Sequence, residues 1–516
     1  MLKHLSLNSI VSFCKYISHN KKIFLRNENK SKSKILVEYN TLCDSHIVYS
    51  YLSNHLAAKY NSEINSYESK FHNSLFRKVI SFIKSYFFFS YRKIYRSFGV
   101  TKHVIPEKIN DDFIEKIKKK FLNEVREKKD IFEITIKNIN IGDLIYDGFL
   151  RNFNLPTINV KSDIFRDYLV ETIDLFYFWY CYFNRNEIKA VIISHTVYEF
   201  GIILRVAIEK KIKVFSAGSY LIFSHDKDNQ TIFDMRYYES EFKKLSKELQ
   251  TRAIKEARFL IEKKFSGEAT IENKISALPE GSPFKKKNFG PRILSKNNKK
   301  KILIAAHHFS DAPNVYGKFI FNDFYDWVDF LGKKSENTDH EWYIKFHPME
   351  FEANEKTSEY FLKKYKNLKL IDRDISHSQL ITEGISLVLT VYGTIGLEYA
   401  YFGIPVINAA NNNPHKAYNF NYHAKNIQDY NNALDNFENL NLNYDKNQIY
   451  EYFYMRYLNS FYLFEDEIEN ISNSTDYQSP LVYSKWLNLF NNDIDKNLKN
   501  TISKFVKSEK FRCTKN

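Results

Sequence analysis

The chain has 516 residues, of which 44% are apolar, and this argues for about two to four domains with packed cores and against wholesale disorder. Glycine and proline are scarce, at 14 and 10 residues, which argues against collagen-like, linker-rich and propeller-like architectures. Lysine and arginine number 76 against 61 aspartates and glutamates, and the net charge of +15 fits either an anionic partner or an ordinary solvated basic surface.

The N-terminus and the cysteines point to a reducing, cytoplasmic setting. Residues 1–33 read as a polar, basic leader, because they lack the long apolar core and the small-residue cleavage site of a secretory signal. The most apolar run, Leu175–Phe183, has nine residues and is too short to cross a bilayer. The four cysteines lie far apart and form no CxxC pair, so neither a zinc knuckle nor a disulfide framework is expected.

Strand and helix patterns alternate through the first half, residues 34–266. Such βαβ spacing implies a parallel sheet. In chain order the pattern predicts a strand at 34–40, a helix at 45–60, an amphipathic helix at 113–128, a strand at 189–195, a helix at 198–211 and a strand at 212–218.

A polar, proline-containing stretch, residues 267–298, reads as a linker, and the alternation restarts after it in residues 299–444. Residues 445–516 carry no strand pattern and are predicted to be helical. The expected fold class is therefore α/β, with two Rossmann-like domains facing across a cleft and C-terminal helices. The second half has predicted strands at 300–309, 342–348, 368–372, 386–393 and 404–410, and predicted helices at 324–333, 359–367 and 394–403.

The strongest local pattern, Leu387–Ala410, is a buried strand that runs into a helix through a Gly-Thr corner. The unpaired N–H groups and the dipole at a helix N-terminus favour a phosphate. Glu398, four residues after the threonine, is out of register for a capping box and is predicted to be free to bind ribose or sugar hydroxyls. Plain N-capping by the threonine and a surface position for Glu398 are the alternatives. The predicted donor contacts here are Gly393, Thr394, Ile395, Gly396 and Glu398.

The dipeptide His347-Pro348 ends a predicted aromatic strand that also carries Lys345, and Lys345 is predicted to contact the donor. Proline cannot continue a ladder, so a simple strand end is one interpretation. Because α/β proteins bind ligands at the carboxyl edge of the sheet, His347 is also predicted to donate to a leaving phosphate or to act as its acid. Neighbouring strands would bring this loop beside Gly393 and Thr394.

A third group of polar residues follows the first strand of the second half. Loops at this position commonly line the cleft, and we favour polar contacts to donor or acceptor over metal ligation, since no further ligand occurs at useful spacing. The residues of this group are His307, His308, Ser310 and Asp311.

The first half carries three candidates for a catalytic base. Asp147 precedes a glycine in an aromatic setting and could deprotonate a hydroxyl or act as a nucleophile. His195 lies at a strand end, and Glu199 lies on the helix that follows. His195 and Tyr198 are predicted to contact the acceptor. A turn aspartate and a core histidine are the alternative interpretations of Asp147 and His195.

Segments 342–348 and 388–407 resemble the donor-binding half of the GT-B glycosyltransferases of bacterial surface polysaccharide synthesis, such as capsule transferases that use CMP-Kdo and polysialyltransferases that use CMP-sialic acid. The resemblance covers roughly residues 300–410 and implies that His347-Pro348 and Gly393-Thr394 hold the nucleotide's phosphate and cytidine. It also implies that Asp147 is the catalytic carboxylate, although Tyr146 stands where polysialyltransferases have an acid.

The function implied is metal-independent transfer of a sugar from a nucleotide donor, CMP-linked, to a surface polysaccharide or a lipid-linked glycan, without a cofactor. The first half would then be the acceptor domain and the second the donor domain. Teichoic-acid polymerases share a similar His-Pro signature, so a CDP-glycerol phosphotransferase is an alternative. A basic nucleic-acid-binding protein is a third hypothesis, but no helix-turn-helix, zinc or RNA-binding signature supports it.

Two further patterns bear on partners. Arg77–Phe98 interleaves basic and aromatic residues. It is predicted either to lie on an anionic membrane surface near the acceptor or to form a buried helix whose lysines reach solvent. Three DxD tripeptides, at 226–228, 372–374 and 493–495, are interpreted as turns or solvated surface rather than metal sites.

Overall fold

The structure, a computed structural model, describes residues 6–24, 32–71, 90–231, 235–268, 284, 290–317, 319–346, 352–464 and 479–515. Each half of the chain contains one six-stranded sheet with an apolar core on both of its faces. The predicted fold class, two Rossmann-like α/β domains followed by helices, is confirmed.

The first sheet has the strand order β3-β2-β1-β6-β7-β8 and is parallel except for its last strand, which runs antiparallel to β7. Its strands are β1 Lys34–Glu38, β2 Glu63–Tyr67, β3 Val100–Val104, β6 Ile188–Ile193, β7 Lys213–Gly218 and β8 Leu221–His225, while β4 Thr135–Ile136 and β5 Ile139–Asn140 form a separate ladder. The helices are α1 Leu7–Phe24, α2 Cys43–Tyr60, α3 Tyr91–Ser97, α4 Asp112–Glu124, α5 Lys128–Phe132, α6 Gly142–Phe153, α7 Asp163–Arg185, α8 Phe200–Glu209, α9 Tyr238–Lys243 and α10 Lys247–Phe265.

The second sheet has the order β11-β10-β9-β12-β13-β14 and is parallel throughout. Its strands are β9 Lys301–Ala305, β10 Glu341–Lys345, β11 Leu368–Leu370, β12 Leu387–Thr390, β13 Val406–Asn408 and β14 Tyr422–His423. Its helices are α11 Phe324–Ser335, α12 Glu352–Lys364, α13 His377–Glu383, α14 Ile395–Tyr401 and α15 Ile427–Asp435, with a short 3-10 turn at Phe437–Asn439.

The central strands are continuous apolar runs because both of their faces are covered. On β1, Leu36 packs into one core while Ile35 and Val37 pack into the other, since successive side chains of a strand point to opposite faces. On β9, Ile304 and Leu303 divide between the two cores of the second half in the same way. This doubly covered pattern is what made these strands visible in the sequence.

The C-terminal residues return to the first half. Helix α16 Lys446–Phe453 and a π-helical turn at Tyr454–Leu458 pack on α10, and helices α17 Leu481–Leu489 and α18 Asn492–Ser508 pack on α2. The expectation of a polar leader at residues 1–33 is wrong for residues 7–24, which form α1 against α17. Tyr16 of α1 is fully buried, and its ring stacks on Tyr483 at a centroid distance of 4.4 Å.

Sequence patterns missed several elements. The strands β2 and β3, at one side of the first sheet, went unpredicted because polar residues interrupt their apolar pattern. The residues around Asp147 form helix α6 rather than a turn. The basic-aromatic segment 77–98 is described only from Ser90 onward, where α3 has its Tyr91, Ile94 and Tyr95 side chains buried, so the membrane hypothesis falls on residues outside the described part.

The carboxyl edges of the two sheets face each other. The loop after β6 meets the loop after β9, where the Tyr198 hydroxyl donates to Asp311 Oδ1 at 2.8 Å. A second contact joins the halves nearby, where Asp323, fully buried, accepts from the Tyr146 hydroxyl at 2.6 Å. The two carboxyl edges therefore meet, as the predicted arrangement of two domains requires.

Candidate functional site

The loops that follow β9 and β12 form the second-half wall of the site. His307 Nε2 lies 3.2 Å from the Thr390 hydroxyl and accepts from the Val391 N–H at 3.3 Å. The imidazole stacks on Phe324 at a centroid distance of 4.9 Å. Since β9 and β12 are neighbours in the sheet, their C-terminal residues are held together, and His307 fixes the path of the backbone that leads to Gly393.

The Gly-Thr corner begins α14 as predicted. Thr394 occupies the N-cap position in a helical conformation, and its side chain makes no capping hydrogen bond, so plain N-capping does not account for this residue. The Gly396 N–H already bonds to the Gly393 carbonyl at 3.0 Å, which leaves the N–H groups of Thr394 and Ile395 ahead of the first bond of the helix. The corner therefore presents a hydroxyl and main-chain amides at the carboxyl edge of the sheet.

Gly396 allows a close approach that a larger residue would block. A Cβ at this position would meet the Asn421 side chain at 2.6 Å and His415 at 2.7 Å. His415 is fully buried, and this burial lowers the pKa of its imidazole well below the usual range. The first turn of α14 is thus pressed against the loop that follows β13, and Gly396 has a packing role here.

His347 and Pro348 lie outside the described residues, so their predicted contacts stay predictions. The expectation that their strand neighbours the strand before Gly393 is wrong, because β9 lies between β10 and β12. Lys345, at the end of β10, is described and buried. Its ammonium donates to the carbonyl oxygens of Asp372, Arg373 and Ile375, at 3.0, 2.6 and 2.9 Å. Burial lowers the pKa of Lys345 to about 8. The prediction that Lys345 contacts the donor is at odds with this arrangement, because all three of its N–H donors hold a loop of the protein.

Glu398 is also placed differently from its prediction. Its side chain is 3% exposed and pairs with Lys264 of α10 at 2.5 Å. The interpretations as a free acceptor for ribose and as a surface residue are therefore both wrong. A buried carboxylate needs a counter-charge, and here the pair ties α14 to the last turn of α10.

The loop after β9 makes contacts with the first half rather than a metal cluster. Ser310 donates to Asn154 Oδ1 at 2.9 Å, and His308 is buried beside it, with Nδ1 accepting from the Ser310 N–H at 3.2 Å. Asp311 is exposed and accepts from Tyr198. Within the described part of the chain, no group of three His, Cys, Asp or Glu side chains is arranged to hold a metal ion.

Asp147 lies within α6 and is 2% exposed. Its carboxylate accepts from the side chain and the backbone N–H of Asn314, at 2.7 and 3.1 Å. Burial raises the pKa of Asp147 well above its usual range, against the lowering effect of these hydrogen bonds. Asp147, the predicted catalytic carboxylate, is thus hydrogen-bonded to Asn314 of the other half. In this arrangement it positions the loop after β9.

Glu199 lies just before α8 and is likewise 5% exposed. Its Oε1 accepts from the Tyr168 hydroxyl at 2.9 Å and from the Asn152 side chain, and its Oε2 lies 3.4 Å from Lys70 Nζ. Tyr198 before it has φ of 56°, a left-handed conformation that is rare outside glycine. The strained backbone turns the Tyr198 side chain toward the second half and the Glu199 side chain into the first.

His195 is the predicted first-half residue that keeps an exposed side chain in the site. Protein atoms nevertheless surround it, and this desolvation, reinforced by the charge of Arg151 and opposed by Asp311, lowers its pKa. Its Nδ1 lies 2.7 Å from the Ser194 hydroxyl. The structure therefore brings His195, Tyr198 and Asp311 together at the mouth of the cleft.

Tyr392 and Arg456 are site residues that the sequence did not single out. The Tyr392 hydroxyl donates to the Ala312 carbonyl at 2.6 Å, and its ring lies 4.9 Å from that of Tyr316. Burial raises the pKa of Tyr316, while Arg456, which hydrogen-bonds to it, opposes the rise. Arg456 lies in the π-helical turn, a feature often found at functional sites. In the sequence, its one distinguishing feature is that it is an arginine inside an aromatic run.

Comparison with known proteins assigns no family and no chemistry to this chain. No family model matches the sequence, and no curated protein matches it. Solved structures that match this chain include the UDP-GlcNAc 2-epimerase from Neisseria meningitidis bound to UDP-GlcNAc, with 9% identity, a TM-score of 0.23 and coverage of 88% of this chain and 98% of that chain. A glycosyltransferase from Rickettsia africae has 11% identity, a TM-score of 0.25 and coverage of 89% and 100%. Acinetobacter baumannii MurG has 7% identity, a TM-score of 0.20 and coverage of 92% and 100%.

The arrangement brings two kinds of chemical group to the edges where the two sheets meet. One wall offers an imidazole that can exchange a proton, and the other offers a hydroxyl and helix N–H groups that suit an anion. In the described residues, no helix is long and apolar enough to cross a membrane.

Proposed function

We propose that this chain is a GT-B glycosyltransferase that moves a sugar from a nucleotide donor, CMP-linked, to a surface polysaccharide or a lipid-linked glycan. The observation that carries the proposal is the meeting of two carboxyl edges at one opening. His195 follows a strand of the first sheet and is exposed, the Gly393-Thr394 corner follows a strand of the second, and the Tyr198–Asp311 contact joins the two edges. Ligands of open α/β sheets bind outside the carboxyl ends of the strands.

The donor would bind on the second-half wall. Its phosphate is assigned to the N–H groups of Thr394 and Ile395 and to the Thr394 hydroxyl, which no cap bond occupies. His347, from the loop after β10, would donate to the same phosphate as it leaves. A helix N-terminus and an imidazole supply positive charge where negative charge develops, so we expect transfer to proceed without an added metal ion.

The acceptor would bind on the first-half wall. His195 and Tyr198 are the described first-half candidates that face the opening, whereas Asp147 and Glu199 are turned into hydrogen bonds with the protein. We therefore assign acceptor contact to His195 and Tyr198, and a positioning role to Asp147 and Glu199.

The first experiment measures nucleotide binding and donor turnover. CMP, CDP and UDP are titrated by calorimetry, and CMP-sialic acid, CMP-Kdo, UDP-GlcNAc and CDP-glycerol are each incubated with the protein and oligosaccharide acceptors, with released nucleotide as the readout. We expect CMP to bind and a CMP-sugar to be consumed. Thr394→Val should weaken nucleotide binding about ten- to a hundredfold, as expected for loss of a hydrogen bond to a charged group.

A matched control removes another threonine hydroxyl from the same half. Thr382 is exposed on α13, where its hydroxyl donates to the Ser378 carbonyl at 2.9 Å, so Thr382→Val should leave nucleotide binding unchanged. Equal binding by the Thr394 variant would place the donor elsewhere. Consumption of CDP-glycerol with transfer of glycerol phosphate would replace the glycosyltransferase by the phosphotransferase alternative, and failure of every nucleotide to bind would contradict both.

A further inference from the structure

Three residues that belong to two neighbouring strand ends form one hydrogen-bonded chain. The Ser194 hydroxyl donates to Glu38 Oε1 at 2.6 Å, and the Ser194 N–H donates to Glu38 Oε2 at 2.7 Å. On its other side, the Ser194 oxygen lies 2.7 Å from His195 Nδ1. Glu38 ends β1 and His195 follows β6, which are adjacent in the sheet, so the chain lies at the centre of the carboxyl edge.

The direction of these bonds sets the tautomer of the histidine. Because the Ser194 hydroxyl proton goes to Glu38, its oxygen is left to accept, and His195 Nδ1 must carry the N–H. The lone pair of the neutral imidazole is then on Nε2. Among the hydrogen bonds of the described residues none engages Nε2, and the side chain is exposed in the opening between the halves.

We propose that His195 is the general base of the transfer reaction and that Ser194 and Glu38 are its positioning residues. This inference rests on the proposed function. The acceptor hydroxyl would give its proton to His195 Nε2 as its oxygen bonds to the anomeric carbon. The bond from that carbon to the nucleotide phosphate breaks, and its electron pair leaves with the phosphate. The imidazolium later releases the proton to solvent, and a single displacement of this kind inverts the anomeric centre.

The glutamate is suited to stabilising the imidazolium. It is 1% exposed, and burial raises its pKa to about 7, opposed by the hydrogen bonds from Ser194 and Asn40. The other titratable groups that face this chain are Tyr49, Tyr67 and Tyr95 around the glutamate, and Arg151 and Asp311 around the histidine. Above about pH 7 the glutamate is ionised, and in that form it favours a protonated histidine through the bridging hydroxyl, so Glu38→Gln should lower the pKa of His195.

A second histidine of the same sheet provides a matched control. His103, at the end of β3, also has a serine and a glutamate as partners, with Nδ1 2.8 Å from the Ser66 hydroxyl and Nε2 2.9 Å from Glu68 Oε1. Both of its ring nitrogens are engaged, so it has no lone pair for a substrate. His103→Gln should therefore leave turnover within about threefold of the wild type, whereas His195→Gln should lower kcat/KM about a hundredfold or more.

The decisive measurements are a pH profile and an NMR titration. In the full-length protein with ¹³C-labelled histidine, Glu38→Gln and Ser194→Ala should lower the pKa of His195, and Ser194→Thr, which keeps the hydroxyl, should restore it. The acid limb of kcat/KM should move with that pKa. An unchanged His195 titration in Glu38→Gln, or a His195→Gln enzyme with wild-type turnover, would overturn the inference. The NMR titration needs no substrate, so it tests the Glu38–Ser194–His195 chain by itself. A failure of the proposed function is seen separately, as no turnover of any donor.

Discussion

At the scale of single residues, the predicted ligand contacts fall into two groups, according to whether their polar atoms already form hydrogen bonds within the protein. Lys345 gives all three N–H donors to carbonyl oxygens of one loop, and Glu398 is buried against Lys264. Thr394, in contrast, makes no capping hydrogen bond, and the exposed His195 engages only Nδ1 in the hydrogen bonds of the described residues. A buried polar group that has partners stabilises the fold, and one that faces an opening can bind a substrate.

Glu38 makes a pH-dependent prediction for stability. Folding raises the pKa of the Glu38 carboxyl from 4.5 to about 7, so between these pH values the folded state binds one more proton than the unfolded state. The free energy of unfolding therefore falls as pH rises through this window. Glu38→Gln cannot ionise, and its free energy of unfolding relative to the wild type should increase between pH 4.5 and 7.5 by about 3 kcal/mol. Urea unfolding of both proteins at several pH values measures the difference, and parallel curves for the two would contradict the shift.

At the scale of elements, α14 is held in place from two sides. Its first turn packs against His415 at Gly396, and its Glu398 pairs with Lys264 of α10. The helix has seven residues, too few to be stable alone, so its position depends on these tertiary contacts. The Gly-Thr corner inherits its orientation from them.

Gly396→Ala tests the first of these contacts. The new methyl group would lie 2.6 Å from the Asn421 side chain and 2.7 Å from His415, so we expect a loss of about 1–3 kcal/mol in stability together with weaker nucleotide binding. Gly290→Ala is the control, because a Cβ there meets nothing within 4 Å. Thermal unfolding and calorimetry measure both effects, and a Gly396 variant that behaves like the Gly290 variant would show that α14 can shift freely.

Lys264→Met tests the second contact. It removes the counter-charge of a carboxylate that is 3% exposed, and we expect a loss of about 3–5 kcal/mol in the free energy of unfolding. The double variant with Glu398→Leu removes both charges and should recover most of that loss. Denaturant titration distinguishes the two cases, and a double variant no more stable than Lys264→Met would mean that packing, not charge, dominates at this position.

At the scale of the whole molecule, the two halves are joined by carboxylates that accept from the opposite half. Asp147 accepts twice from Asn314, and Asp323 accepts from Tyr146, from Thr157 at 2.6 Å and from Lys128 at 3.2 Å. Such directional bonds hold one relative orientation of the sheets. They thereby hold the carboxyl edges of the two sheets together.

A double-mutant cycle on Asp147 and Asn314 measures this coupling. Asp147→Asn and Asn314→Ala should each cost about 1–3 kcal/mol, and the double variant should cost little more than either single change, because both remove the same pair of bonds. Additive effects would indicate that the two residues act independently. A loss of turnover by Asp147→Asn far greater than its loss of stability would instead return Asp147 to the catalytic role first predicted for it.

Local pattern determined the parts of this protein that depend on near neighbours in the chain. Apolar runs correctly predicted the central strands, because strands that are buried on both faces are apolar at successive residues. The strand–Gly–Thr–helix pattern of residues 387–403 correctly predicted the corner, because the residues that begin a helix lie within a few positions of one another. Only the tertiary structure decided which polar side chains form hydrogen bonds within the protein. Glu38 and Ser194 are 156 positions apart, and Asp147 and Asn314 are 167 apart. No short-range pattern can encode such pairings, since they follow from the order in which crossovers place strands and from the closeness of the two halves.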